Sequence, residues 1–343
     1  MTSIVEKSPP TPVTSASLPS SNQMKAIVQG AYGPPDVLQL RDIAKPEVTG
    51  NEVLIRVRAA SVNPADWRFM RGSPYVIRLT GYGVRRPTHP VPGIDVAGVV
   101  ETIGTDVAKL RPGDELFGWC RGAYAEYACA VESNFVPKPA NISFEQAAAV
   151  PLGGITALQG LRDKGKLKRG QSVLIIGASG GVGTFAVQIA KALGAEVTGV
   201  CSTGNVELVR SIGADHVIDY TQEDSVGAEP RYDLIFQLAG TTSPSDCRRA
   251  LMPKGTLVLC SGDGRMSGMG RMAAAMVTSP FVSQSLVTWV SKQKNEDLLT
   301  LAKFIESGQV KPVVDKTYPL GETADAIRYV EDGHTRGKVV ITA

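Results

Sequence analysis

Residues 174–183 read LIIGASGGVG: an apolar run stops at glycine, and four of the next seven positions are Gly. A strand-like segment, SVLII, precedes the loop. Val182, Phe185, Ala186, Ile189, Ala190 and Leu193 follow at the i, i+3, i+4, i+7 spacing of one buried helical face, and Gly194 stands where a C-cap belongs. Strand, glycine loop and helix in this order are what a dinucleotide's pyrophosphate requires. Glycines let the backbone turn sharply and approach the ligand, while the helix N-terminus offers unpaired N–H groups and the positive end of its dipole. Gly177, Ser179, Gly180, Gly181, Val182 and Gly183 are therefore candidate cofactor ligands. The alternative is a tight strand-to-helix turn without a ligand.

Which dinucleotide binds depends on the end of the next strand, about 20 residues on, where an NAD site places Asp or Glu on the ribose 2′-hydroxyl. That window reads VCSTGN, residues 200–205, with no carboxylate. Ser202, Thr203 and Asn205 can donate hydrogen bonds to a 2′-phosphate, so NADPH is expected over NADH. No Arg or Lys stands in the window, which leaves open a neutral loop that accepts both cofactors.

At 343 residues the chain is long enough for two domains. From Met24 to about Val150, short β-rich runs such as EVLIRVRAASV and VAGVVETIG alternate with turn chemistry, as in a small, mostly β domain. After Pro151 strand runs alternate with helical segments: SVLIIG, EVTGV, HVIDY, YDLIFQLAG, GTLVLCSG and LVTWV. That succession predicts an α/β, doubly wound parallel sheet over 151–311. Ala239-Gly240 and Ser261-Gly262 end two of its strands on the carboxyl side, where the cofactor crevice lies. The last segments, PVVDKTYP and GKVVIT, are β-like again, and residues 312–343 are expected to complete the 24–150 domain.

Lys plus Arg exceeds Asp plus Glu by 36 − 33 = 3, not the balance of a nucleic-acid binder. Five cysteines, none in a C-x-x-C pair, fit neither a disulfide framework nor a thiolate zinc site and point to a reducing, cytoplasmic setting. No run approaches the roughly 18 apolar residues of a membrane span, so no membrane partner is expected. Residues 1–23, rich in Pro, Ser and Thr, read as a disordered tail.

The segments SVNPADW (61–67), PVPGIDVAGVVETIG (90–104), RPGDELFG (111–118), LGGITALQGL (152–161), GASGGVG, GADHVIDY (213–220) and RGKVVI (336–341) together resemble the medium-chain dehydrogenase/reductase superfamily. Within it, the zinc-independent, quinone oxidoreductase-like branch fits best. The resemblance covers residues 24–343 and implies a GroES-like β domain interrupted by a Rossmann domain, an active site between them and a homodimer. The superfamily's alcohol dehydrogenases take zinc ligands from a Cys in the segment that here reads SVNPADW and from a Gly-His-Glu triplet where this chain has Gly93-Ile94-Asp95. No metal is therefore expected. Without a Lewis acid, chemistry that activates itself is favoured: hydride transfer to a quinone or to the β-carbon of an α,β-unsaturated carbonyl compound.

Asn63 matches the family's active-site Asn, which orients substrate or nicotinamide; otherwise it is a turn residue before Pro64. Asp66 shares the motif or caps the helical turn that follows. A Tyr that the family often has five residues after this Asn, as a proton donor, is Arg68 here, and Tyr75, Tyr82 or Tyr124 could replace its hydroxyl. Asp95 is expected to pair locally. Thr156 matches a position near the nicotinamide carboxamide, or else caps a helix over 154–162. Tyr220 matches a Tyr near the adenosine phosphate or else is an exposed strand end, and Lys338 either reaches the cofactor or is an exposed strand lysine. The expected function is that of an NADPH-dependent quinone or enone reductase. The alternatives are an NADPH-binding regulatory or interaction protein with little turnover and, more distantly, a zinc alcohol dehydrogenase.

Overall fold

The structure, a computed structural model, describes residues 22–343 apart from 228, 230, 241, 261–269, 271–274, 280–281 and 334. The expected tail lies outside the described residues up to 21, and Gln23 already begins a strand. That strand, β1 (Gln23–Gln29), pairs antiparallel with β2 (Leu38–Ala44). Then come β3 (Glu52–Val62), α1 (Pro64–Arg71), β4 (Asp95–Ile103), β5 (Glu115–Trp119), β6 (Tyr127–Val131), β7 (Phe135–Pro137), α2 (Phe144–Ala148) and α3 (Pro151–Gln159). The parallel-sheet half contains β8 (Ser172–Ile176), α4 (Gly183–Ala192), β9 (Glu196–Cys201), α5 (Val206–Ser211), β10 (His216–Asp219), β11 (Tyr232–Gln237), α6 (Pro244–Ala250), β12 (Leu251–Cys260), β13 (Ser285–Trp289) and α7 (Asn295–Glu306). The chain ends with β14 (Val314–Pro319), α8 (Thr323–Asp332) and β15 (Lys338–Thr342).

Strands β8 to β13 form one six-stranded sheet in the order β10-β9-β8-β11-β12-β13, every pair parallel. This is the doubly wound order with its switch point between β8 and β11, where ligands settle at the carboxyl ends. Its central strands β8 and β11 are apolar and buried along nearly their whole length, as strands covered on both faces are. Seven other strands form the second sheet, in the order β14-β15-β3-β4-β5-β7, with β6 also pairing β3. Strand β15 pairs antiparallel with β3, Val339 opposite Val62 and Thr342 opposite Ala59. The end of the chain thus returns to the first sheet.

One core cluster runs from the seven-stranded sheet (Phe117, Trp119) through α2 and α3 (Ala148, Ile155, Leu158) into the parallel sheet (Ile175, Phe236). The two sheets are therefore joined by a continuous apolar contact. Helix α3 is central to this. It starts at Pro151 in its first turn and is buried along almost its whole length, three residues earlier than the expected 154–162. Proline at the first helical position needs no donor, and so sets that start.

Candidate active site

The glycine loop follows β8 at its carboxyl end and opens α4. Gly177 has φ +90°, a left-handed value that glycine alone adopts freely. A Cβ on Gly183 would stand 2.0 Å from the Gly177 carbonyl oxygen, so the turn closes only with glycine there. The last strand clamps the loop from outside: Gly337 N–H donates to the Ser179 carbonyl (2.8 Å), and Gly180 and Gly337 form a parallel bridge.

Beside the loop lies a cleft of about 490 Å³. Gly177, Gly180, Gly181, Val182 and Gly183 form one wall, with Tyr220, Ala239 and Gly240 beside them. Asn63 and Lys338 line it as well. It also takes in residues that had not been named as site candidates, among them Trp67 of α1, Cys260 at the end of β12, and Thr335. Ser179 is near but contributes its backbone to the Gly337 clamp.

Ser202, Thr203 and Asn205 form a short turn after β9, in which Asn205 Nδ2 donates to Ser202 Oγ (3.1 Å) and the Thr203 and Thr221 hydroxyls meet at 2.9 Å. The sequence window lacked a cation, yet the fold brings one from about 130 residues away. A guanidinium nitrogen of Arg336 stands 3.3 Å from where a Cβ on Gly204 would be. Arg336 is exposed, and among the described residues its side chain has no ion-pair partner. A carboxylate is also nearer than the window suggested. Asp219 accepts from the Thr221 N–H (3.0 Å) and hydroxyl (2.7 Å), and hydrogen bonds from Thr203 and Thr221 hold its carboxyl below the usual range.

Between the two sheets sits a buried polar cluster. Lys338, only 4% exposed, donates from Nζ to Asn63 Oδ1 and lies 3.7 Å from Asp95 Oδ2. Asn63 Nδ2 donates in turn to Asp95 Oδ2 (3.0 Å), and the Leu152 N–H of α3 reaches both Asp95 oxygens at 3.2 Å. Two expectations are corrected here. Lys338 is not an exposed strand lysine, because β15 is covered where it meets β3. Asp95 does not pair locally; it joins α1, α3 and β15. Asn63 has both ends of its amide engaged, so it acts on the cleft by holding Lys338 rather than through a free amide.

Asp66 faces away from the cleft into a second, smaller cavity bounded by Phe69, Tyr82, Ile94 and Arg121. Its Oδ2 accepts the Asn63 N–H at 2.7 Å and so caps α1. Burial raises its carboxyl to about 7, with the Asp95 charge adding to the rise, while the Asn63 N–H, the Tyr124 hydroxyl and Lys338 oppose it. Asp95 is raised by burial and lowered by Lys338 and Asn63; Lys338 is lowered by burial and raised by Asp95 and Asp66.

Among the other candidates, the Arg68 guanidinium lies 5.4 Å over the Trp67 ring. Tyr75 is a correction: it is exposed at 58%, lies outside the cleft lining and packs under Arg78 at 4.9 Å. Tyr82 stacks on Phe69 at 4.1 Å, and Tyr124 is fully buried, its hydroxyl 3.4 Å from the Ser61 carbonyl. Thr156 does not cap a helix, since it falls inside α3, where its hydroxyl meets Ser291 Oγ at 2.9 Å. Ser261 and Gly262 lie outside the described residues.

Residues 49–140 match the family model of the alcohol dehydrogenase GroES-like domain, and 212–341 that of the zinc-binding dehydrogenase. A 2-methylene-furan-3-one reductase of Solanum lycopersicum is 35% identical, over 96% of this chain and 81% of its own. An NADPH-dependent alkenal/one oxidoreductase of Arabidopsis thaliana is 36% identical, over 95% and 81%. The structure of the quinone oxidoreductase from Coxiella burnetii superposes with a TM-score of 0.81 at 30% identity, over 94% of this chain and 99% of that one.

Proposed function

The chain belongs to the medium-chain dehydrogenase/reductase superfamily, and from that premise we propose that it is an NADPH-dependent, zinc-independent reductase of quinones or α,β-unsaturated carbonyl compounds. The observation that carries this reading is the glycine loop lining the crevice, with Arg336, next to the Gly337 that clamps that loop, standing against Gly204 of the 202–205 turn. The loop and the N-terminus of α4 suit a pyrophosphate. Arg336, with Ser202 and Thr203, suits the 2′-phosphate that distinguishes NADPH. Tyr220, Ala239 and Gly240 flank the same crevice.

Zinc does not fit the residues present. The segment 61–67, in which the zinc enzymes carry a Cys ligand, has no Cys here, Gly93-Ile94-Asp95 stands in place of their Gly-His-Glu triplet, and the ammonium of Lys338 already occupies the space between Asn63 and Asp95. A second cation there would meet an unscreened like charge in a buried site.

Bound NADPH supplies the hydride. The chain's own part is to hold the cofactor in register, exclude water and stabilise negative charge on the acceptor's oxygen. Lys338 is the cation best placed to stabilise that charge, since it lines the cleft, is fixed by Asn63 and Asp95, and needs no reorganisation as charge develops. Trp67 and Cys260 give the crevice apolar surface suited to a flat, conjugated acceptor.

We read residues 24–150 with 312–343 as one domain and 151–311 as the other, a division that the two sheets support. A homodimer is consistent with β13 standing at an open sheet edge beside exposed Val290. A reducing, cytoplasmic setting agrees with five unpaired cysteines. Steady-state assays with NADPH and NADH against a naphthoquinone and an enone panel test the function. Turnover with NADPH that chelators leave intact is expected, whereas equal use of NADH or loss of activity on chelation overturns it.

A further inference from the structure

Between α1 and β4 the chain makes an excursion with an unusual surface. Tyr75, Val76 and Leu79 are 58%, 53% and 65% exposed, and Val84 is 49% exposed. Tyr75 and Leu79 are four residues apart and Val76 and Leu79 three, on a helical turn that continues through Tyr82, so these three side chains share one face. The excursion is anchored at its base. Tyr32 donates to the carbonyls of Tyr82 (2.8 Å) and Gly83 (2.6 Å), and Arg78 Nε donates to the Gly72 carbonyl (3.0 Å). The apolar side chains therefore point outward from a fixed support.

Charge is as biased as hydrophobicity here. From Gly72 to Ile94 there is no Asp or Glu, while Arg78, Arg85 and Arg86 all fall in the stretch. Arg85 and Arg86 are exposed and have no ion-pair partner among the described residues. An exposed apolar face rimmed by unpaired arginines matches a bilayer surface, where apolar side chains enter the headgroup boundary and cations meet anionic lipid. A second copy of the same patch would instead bring like charges together across a two-fold axis.

We propose that the 75–86 excursion docks the protein reversibly on anionic membrane surfaces, Tyr75, Val76, Leu79 and Val84 entering the interface and Arg85 and Arg86 contacting lipid phosphates. The docking does not depend on the redox reading. It revises the expectation of no membrane partner, which rested on apolar runs along the chain. Among the described residues no helix is long and apolar enough to cross a membrane, but side chains at helical spacing build a patch without any such run.

The full chain is sedimented with vesicles of phosphatidylcholine alone or mixed with phosphatidylglycerol. Binding to the mixed vesicles at low salt, weakened by high salt, is expected. Val76→Asp/Leu79→Asp abolishes it, and Arg85→Glu/Arg86→Glu weakens it by about tenfold or more. Leu299→Asp, at an exposed position of α7, keeps wild-type binding and controls for general surface change. All these positions are exposed, so unchanged melting temperatures verify folding. No binding to the mixed vesicles, or binding that survives the Val76/Leu79 change, overturns the proposal. So does loss of a dimer in that variant without vesicle binding by the wild type, which would make the patch a self-interface.

Discussion

Lys338 and Asp95 stand 3.7 Å apart, both buried, one at the start of the last strand and the other at the start of β4. With Asn63 between them and the Leu152 N–H on the carboxylate, they tie α1, α3 and β15 at the edge of the cleft. Removing one partner of such a pair leaves the other uncompensated. Lys338→Met is expected to destabilise the fold by about 3 kcal/mol in denaturant unfolding. Lys338→Met combined with Asp95→Asn recovers most of that loss, and a double variant no more stable than the single one would refute the coupling.

Arg336 comes to the 202–205 turn only through the return of the chain to the first sheet. If it binds a 2′-phosphate, Arg336→Ala removes a charge-assisted hydrogen bond of about 1.5–3 kcal/mol, or roughly 10- to 100-fold. The expected result is a fall of that size in kcat/KM for NADPH with little change for NADH. An equal fall for both cofactors would mean that Arg336 serves the fold and not the choice of dinucleotide.

Two glycines allow a contrast between strain and closure. Gly183→Ala drives a Cβ into the Gly177 carbonyl, so the loop must open, and NADPH affinity measured by fluorescence titration should drop by at least about tenfold. Gly113, at φ +96° with nothing within 4 Å of its absent Cβ, meets only the local cost of a left-handed residue. Gly113→Ala is expected to cost about 1–2 kcal/mol of stability and to leave cofactor affinity unchanged.

Features written in local periodicity were legible before the structure. The run SVLIIG and the helix after it, the strands EVLIRVRAASV and YDLIFQLAG, and the last strand GKVVIT all formed where the spacing placed them, because burial on one or both faces dictates that spacing. The glycine loop was equally plain, since only glycine permits its close backbone contacts. What sequence could not supply were contacts made across the chain. Lys338 and Asn63 are 275 positions apart, so whether the lysine was exposed or buried had no local signal. Arg336 sits just before the last strand, and only the β15–β3 pairing explains why it stands beside a loop after β9. Tyr75 looked like a spare hydroxyl because its outward direction belongs to an excursion with no strict period.

Asp66 carries the cluster's pH response. Two carboxyls, Asp66 and Asp95, share the interior with a single ammonium, Lys338, and burial leaves Asp66 holding the surplus proton with a pKa of about 7. Unfolded, the same group titrates near its ordinary value of 3.8. Between these limits the folded state binds more protons than the unfolded state, so this group's contribution to stability declines as pH rises from about 4 to about 7. Asp66→Asn keeps an oxygen to accept the Asn63 N–H and cap α1, but it has no proton to lose. The variant should therefore gain stability relative to wild type as pH increases through that window, by up to a few kcal/mol. Thermal melts of both proteins at pH 5 and pH 8 measure this directly. A stability difference that is the same at both pH values would show that Asp66 is already ionised in the folded protein at pH 5.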